Sequence, residues 1–333
     1  MPFTRKLRSR LAAGAGAVAL LAAASPAVAH AADTRAAILT GAAEFPYTVA
    51  GWQAGNTAIG PLQTQRIFYS GALPASFTGS YCDQLEKAAS NAITCVISYK
   101  TQTTNVAGFV AGIPATDHVI MIFHHEPEND TFSGSGTNGQ NFVSQFEAQS
   151  TLITNSAAAA GNSAEVKVAM AAMAWQYQSS SYHGYSCSYI PPDQYVAYYL
   201  TDIYEPAPNG RPLNTGPVAS QWNNWLACVN AANNANPHPR KALGIAEYGL
   251  GTLAGDSVRA STITADDAYL KANFTNFALW EYWDENNAVN GGCTASNCDW
   301  QITGDSASTA SVAERRAGQL DGFLERLRPL TGR

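Results

Sequence analysis

The chain has 333 residues, 46% of them hydrophobic and only 13% charged, with 27 Gly, 16 Pro and six Cys. So little charge beside so much apolar content excludes a disordered chain. A formal charge of −6 argues against a nucleic-acid binder, which needs clustered Lys and Arg to meet phosphate.

The N-terminus carries Arg5, Lys6, Arg8 and Arg10, then an apolar run over 11–24, then small residues ending Ala29-His30-Ala31. A basic head, a short apolar middle and a small-residue end predict a secretory signal peptide over 1–31. About 14 apolar residues are too few to span a bilayer comfortably. No second long apolar run follows, so the mature part, 32–333, is expected outside the cell and free of membrane. The basic head leaves with the signal, which takes the charge from −6 to about −10 and strengthens the case against polyanionic partners.

Eight short β-rich runs follow, over 37–45, 66–73, 92–99, 118–125, 166–177, 195–204, 242–249 and 277–283. Several are continuous apolar stretches, such as Val119-Ile120-Met121-Ile122-Phe123, which suits strands buried on both faces of a parallel sheet. Helices are predicted between them, most clearly over 142–160 and 218–233, and a last one over 311–327. Eightfold strand–helix alternation predicts a single (β/α)8 TIM barrel. An open doubly wound sheet is the alternative, but no Gly-rich phosphate loop follows the first strand.

The cysteines are Cys82, Cys95, Cys187, Cys228, Cys293 and Cys298. An even number in an exported chain reads as disulfides. Pairing sequence neighbours (82 with 95, 187 with 228, 293 with 298) is the simplest connectivity, because each bridge closes one local loop. No C-x-x-C is present, and no metal site is expected from these residues.

In a barrel, chemistry sits at the C-terminal ends of the strands. The fourth run ends His124-His125-Glu126-Pro127-Glu128-Asn129-Asp130, and the seventh ends Gly244-Ile245-Ala246-Glu247-Tyr248-Gly249. Pro127 cannot continue a central ladder, so it marks a strand end. Two Glu at the ends of strands four and seven would face each other across the mouth. Such a pair is what glycoside hydrolysis requires: one acid/base and one nucleophile or second base. A metal site from His124, His125, Glu126, Glu128 and Asp130 lacks H-E-x-x-H spacing, and without G-x-S-x-G a serine hydrolase has little support.

The Glu-Pro of strand four, the His before it and the Glu of strand seven resemble glycoside hydrolase family 26, within the clan of retaining (β/α)8 glycosidases. That family contains β-mannanases with some β-1,3-xylanases and mixed-linkage glucanases, and this chain looks like a divergent member. The resemblance implies that Glu126 is the acid/base and Glu247 the nucleophile. It implies that His125 contacts the nucleophile or the sugar, that Tyr204 lies near the nucleophile, and that Trp280 is the aromatic platform under the sugar. Asp202, two residues before Tyr204, is a further candidate contact.

Strand alternation puts His124, rather than His125, on the face of Glu126, so both are candidates. Trp175 and Tyr177 could stack on sugars or pack the barrel. Trp222 and Trp225, spaced i, i+3 on a helix, read as core. Glu44 and Lys100 sit at strand ends where distal sugar contacts or solvated charges occur. The expectation is a secreted, monomeric retaining glycosidase acting on a β-linked polysaccharide (mannan, β-1,3-xylan or β-glucan) without a cofactor. A non-catalytic carbohydrate-binding barrel and an inverting enzyme are the rivals.

Overall fold

The computed structural model describes residues 38–43, 47–59, 61–89, 92–102, 105–129, 131–178, 186–205, 212–234, 241–251 and 256–284. The signal peptide, Glu44, Asp130, Cys293, Cys298 and the helix predicted over 311–327 lie outside these residues. All described residues belong to the unit Arg35–Arg333.

Eight parallel strands form one closed barrel in sequence order. They are β1 (Leu39–Ala43), β2 (Thr64–Tyr69), β3 (Thr94–Tyr99), β4 (His118–Phe123), β5 (Val166–Met173), β6 (Tyr198–Glu205), β7 (Ala242–Leu250) and β8 (Phe277–Trp283). The helices between them are α1 (Val49–Ile59), α2 (Tyr81–Ala88), α3 (Asn105–Ala111), α4 (Gly136–Ala160), α5 (Gly216–Asn234) and α6 (Asp256–Asn273). The fold is the (β/α)8 barrel that the alternation predicted, and each predicted run contains a strand or most of one.

Local signals explain the helix ends. Ser80 and Ser135 cap α2 and α4, each accepting a bond from the amide three residues on, and α4 ends at Gly161 with φ of 77°; a left-handed C-terminal residue is where glycine is favoured. Among the described residues, no helix is long and apolar enough to cross a membrane.

The apolar residues divide into two cores. Val96, Ile120, Ile122, Ala169, Ala171, Leu200, Ala246 and Leu279 fill the barrel interior. The larger cluster lies between sheet and helices and includes Trp222 and Trp225, fully buried with rings 5.1 Å apart, as the i, i+3 spacing implied. Gly41 is required where β1 approaches β2, because a Cβ there would meet Thr64 Oγ1 at 1.8 Å.

Above the apolar layer the interior turns polar. Alternation from Val96, Leu200 and Leu279 directs Ser98, Asp202 and Glu281 inward, and the Arg66 guanidinium meets Ser98 there. One layer higher the same parity gives Phe68, Lys100, Tyr204 and Trp283. The barrel therefore changes from an apolar plug to a charged floor within one layer of side chains.

Candidate active site

The site is built on the C-terminal ends of β4, β6, β7 and β8, with β2 beneath it. Glu247 reaches it through an irregularity. Thr201 pairs with Ile245, but the next pair is Asp202 with Glu247. Against β8, Ile245 pairs with Trp280 and the next pair is Tyr248 with Tyr282. β7 therefore carries one extra residue, Ala246, relative to both neighbours. Ala246 packs inside the barrel, so strict alternation would send Glu247 outward. The bulge resets the parity and turns Glu247 inward beside Asp202.

Glu126 reaches the site by a different route. β4 ends at Phe123, and His124 and Glu126 then adopt φ of 52° and 50°. Such values are uncommon outside glycine and often mark functional turns. Backbone bonds fix the turn: His124 N donates to Tyr99 O at 2.7 Å and Glu126 N to Ala171 O at 3.0 Å. Glu128, one turn on, accepts from Met173 N at 2.9 Å and ties the segment to β5.

The two carboxyls converge. An oxygen from each of Glu126, Asp202 and Glu247 lies within 4.8 Å of the others. Glu247 is served by two donors: Tyr204 Oη to Oε2 at 2.5 Å, and Arg66 Nη2 to Oε1 at 3.4 Å. Arg66 is itself fully buried, donates to Ser98 Oγ at 2.7 Å, and lies 4.2 Å from the centre of the Phe68 ring. Glu126 receives one weak bond, from Asn129 Nδ2 at 3.4 Å.

This asymmetry orders the protons. Burial, then the charge of Glu247, pushes the Glu126 carboxyl up to about 8. Burial also raises Glu247, but Arg66 and the Tyr204 hydroxyl pull it back. The better-served Glu247 ionises first, and Glu126 keeps its proton. Below them, burial pushes Glu281 up to about 8, with Arg66 and the Thr64 hydroxyl as partial compensation.

The aromatic positions differ from expectation at two residues. Trp280 is 1% exposed and packs edge-on against Tyr248, at 4.8 Å, in the helix-facing core. It faces away from the mouth because Leu279 and Glu281, its neighbours, face inward. Trp283 shares their parity; it is half-buried and stands 5.5 Å from Phe68. His124 is 4% exposed among Phe123, Phe132 and Phe142, with Nδ1 3.1 Å from Lys100 O. It is a packing residue of the turn and not a face of the mouth. His125 instead meets Phe68 edge-on at 4.9 Å, on the side of Trp283.

Trp175 is half-buried in the turn Ala174–Tyr177 after β5, while Tyr177 beside it is buried in the helix-facing core. Lys100 lies near enough for its charge to stabilise both Glu126 and Glu247 as anions. Two disulfides take the sequence-neighbour pairing, Cys82–Cys95 and Cys187–Cys228.

Arg66 and Glu281 were not foreseen. Arg66 stood first in a predicted run, yet a lone charge with apolar Ile67 and Phe68 beyond it was a signal. Glu281 alternates with Leu279 and Trp283, which marks it as inward-facing.

No family model matches the sequence, and no curated protein sequence matches it. Solved structures do. Fungal β-1,4-galactanases superimpose with a TM-score of 0.52 at 11% identity, covering 80% of this chain and 92% of theirs. An endo-β-1,4-glucanase from Xanthomonas axonopodis pv. citri gives 0.52 at 11% identity, covering 84% and 98%. The catalytic domain of a family 26 endo-β-1,4-mannanase from Bacillus sp. JAMB-750 gives 0.48 at 13%, covering 86% and 87%. At these identities the likeness to the first two is one of fold, and the chain carries the barrel architecture on which those enzymes are built.

Proposed function

We propose that this protein is an exported retaining glycoside hydrolase acting on a β-linked polysaccharide. The observation that carries the reading is the approach of Glu126 and Glu247 oxygens to within 4.8 Å at the mouth of the barrel. Retention calls for carboxyls about 5–5.5 Å apart and inversion for about 6.5–9.5 Å, so the short approach favours retention. A non-catalytic sugar-binding barrel would have no need of convergent carboxyls.

In the first step Glu126, protonated, gives its proton to the glycosidic oxygen as the Glu247 carboxylate attacks the anomeric carbon. The glycosidic bond breaks and a glycosyl–Glu247 ester forms. In the second step Glu126, now ionised, takes a proton from water. The hydroxide oxygen displaces Glu247 and restores the original anomeric configuration. Tyr204 and Arg66 orient Glu247 and keep it anionic. Trp283 and His125 flank the sugar, with Trp283 taking the platform role, and Trp175 extends the aromatic lining.

Mannan, β-1,3-xylan and mixed-linkage β-glucan are the preferred substrates on the family 26 resemblance, and the galactanase and glucanase likenesses add galactan and glucan to the set to be screened. Export is supported by the two disulfides and by the leader-like N-terminus.

The test is a screen of the purified protein on mannan, xylan, β-glucan and galactan, with reducing ends measured and the first-formed anomer read by NMR. Glu126→Gln and Glu247→Gln should each remove activity while leaving the melting curve in place. An unchanged rate in Glu247→Gln, or an inverted product, would sink the mechanism.

A further inference from the structure

The floor of the mouth holds a third carboxyl that the double displacement does not use. Asp202 is fully buried on β6, and neither of its oxygens has a hydrogen-bond partner among the described residues. One of those oxygens lies within 4.8 Å of an oxygen of both Glu126 and Glu247. Among the neighbouring acids, Glu247 is served by Arg66 and Tyr204 and one oxygen of Glu128 by the Met173 amide, while Glu281, also without a hydrogen-bond partner among the described residues, is not one of that trio. A buried carboxyl without donors is costly to keep. Burial, together with the charges of Glu247 and Glu126, raises the Asp202 carboxyl well above the usual range. Its position is fixed by the same bulged register that aims Glu247. Of these two unserved carboxyls, Asp202 is the one beside both Glu126 and Glu247, where a bound ligand can serve it.

The identity of the missing donor follows from the reading of the site as a retaining glycosidase, on which this inference rests. The anomeric carbon would sit between Glu126 and Glu247. It has three heavy-atom neighbours besides the incoming nucleophile: the ring oxygen, the glycosidic oxygen and C2. Neither oxygen carries a hydrogen in the substrate. The substituent on C2 is the only donor within two bonds of the anomeric carbon.

We propose that Asp202 contacts the substrate, accepting a hydrogen bond from the donor on C2 of the sugar whose glycosidic bond is broken. That donor is a hydroxyl in glucans, mannans, xylans and galactans and an ammonium in an amino-sugar polymer. The shared chemistry is a polarised N–H or O–H. The bond tightens as positive charge develops on the anomeric carbon, because the neighbouring substituent then becomes a stronger donor. Asp202 thus selects for the group at C2 in the transition state.

The experiment compares wild type, Asp202→Asn and Asp202→Ala on 4-nitrophenyl β-glycosides of glucose, mannose, galactose and xylose. The 2-deoxy-β-D-arabino-hexoside and the 2-amino-2-deoxy-β-glucoside complete the set, and rates are corrected for spontaneous hydrolysis. Wild type should prefer a 2-hydroxy or 2-amino glycoside over the 2-deoxy one by on the order of 100-fold or more in kcat/KM. The better of the two names the donor. The preference should collapse in Asp202→Ala and be intermediate in Asp202→Asn, whose amide oxygen still accepts. If Asp202→Ala does not fold, Asp202→Asn alone must narrow the gap. Wild-type discrimination retained in Asp202→Asn overturns the inference and leaves the glycosidase reading standing. If only polymers are cut, kcat on the polymer must fall at least about tenfold in Asp202→Asn with the melting temperature held; an unchanged kcat overturns the inference. If neither aryl glycosides nor any of the four polysaccharides is cut, the hydrolase reading falls, and this inference with it.

Discussion

Tyr204 holds Glu247 by a hydrogen bond of 2.5 Å to Oε2. Arg66 takes the other oxygen from below at 3.4 Å, so both oxygens of one carboxylate are claimed by donors on different strands. Both donors favour the ionised form of a carboxyl that burial raises, and each can be removed separately.

Tyr204→Phe removes the upper donor. The donor favours the ionised carboxylate, so its loss raises the Glu247 carboxyl. The acid limb of kcat/KM should move to higher pH, and kcat should fall by about 10²-fold. The alkaline limb, set by Glu126 at about 8, should stay in place, since the proposed mechanism requires Glu126 protonated. A pH–rate profile over 4–10 checks both limbs; an acid limb that does not move would show that Tyr204 leaves Glu247 unaffected.

Arg66→Met removes the lower donor and the buried cation. Breaking a buried pair on one side costs about 3–5 kcal/mol. The loss should be smaller at pH 5, where the stranded carboxyls can protonate, and larger at pH 8, where they cannot. Denaturant midpoints at the two pH values measure this, and a loss independent of pH would contradict it.

Glu281 predicts the opposite sign. Its carboxyl is raised from 4.5 to about 8, so the folded state holds a proton that the unfolded chain releases. That group costs no stability below about pH 4.5, and the cost grows as pH rises towards 8. Glu281→Gln should therefore be more stable than wild type at pH 8, by on the order of 3 kcal/mol, and indistinguishable at pH 4. Thermal melts at both pH values would reveal the crossover.

The two tryptophans of β8 should separate cleanly. Trp280→Ala excavates the helix-facing core and should cost about 3–5 kcal/mol of stability. Trp283→Ala should leave the melting temperature within a few degrees and raise KM or lower kcat on polysaccharide by 10-fold or more. The reverse pattern would place the sugar platform elsewhere.

That contrast also shows how far the sequence carried. The eight apolar runs and the buried α5 tryptophans were legible because each depends on local periodicity, and the two glutamates because each stands near the end of an apolar run; the turn and the bulge that aim them were not. Trp280 was misread because a motif outweighed the alternation of its own strand, in which Leu279 and Glu281 face inward. His124 was misread for the converse reason. Two positive-φ residues broke the alternation of β4, and no pattern of residue types announces that. Arg66 and Asp202 acquire their meaning from strands far away in sequence, which no local reading supplies.

Ala246 makes the direction of Glu247 depend on a count of odd and even. Were that residue taken up in plain alternation instead of a bulge, Glu247 would turn to the helix side and Tyr248 would enter the charged floor. A strand without that bulge would carry the proposed nucleophile on the wrong layer. On the reading proposed above, the distance between a hydrolase and an inert scaffold is one irregular step in the register of β7.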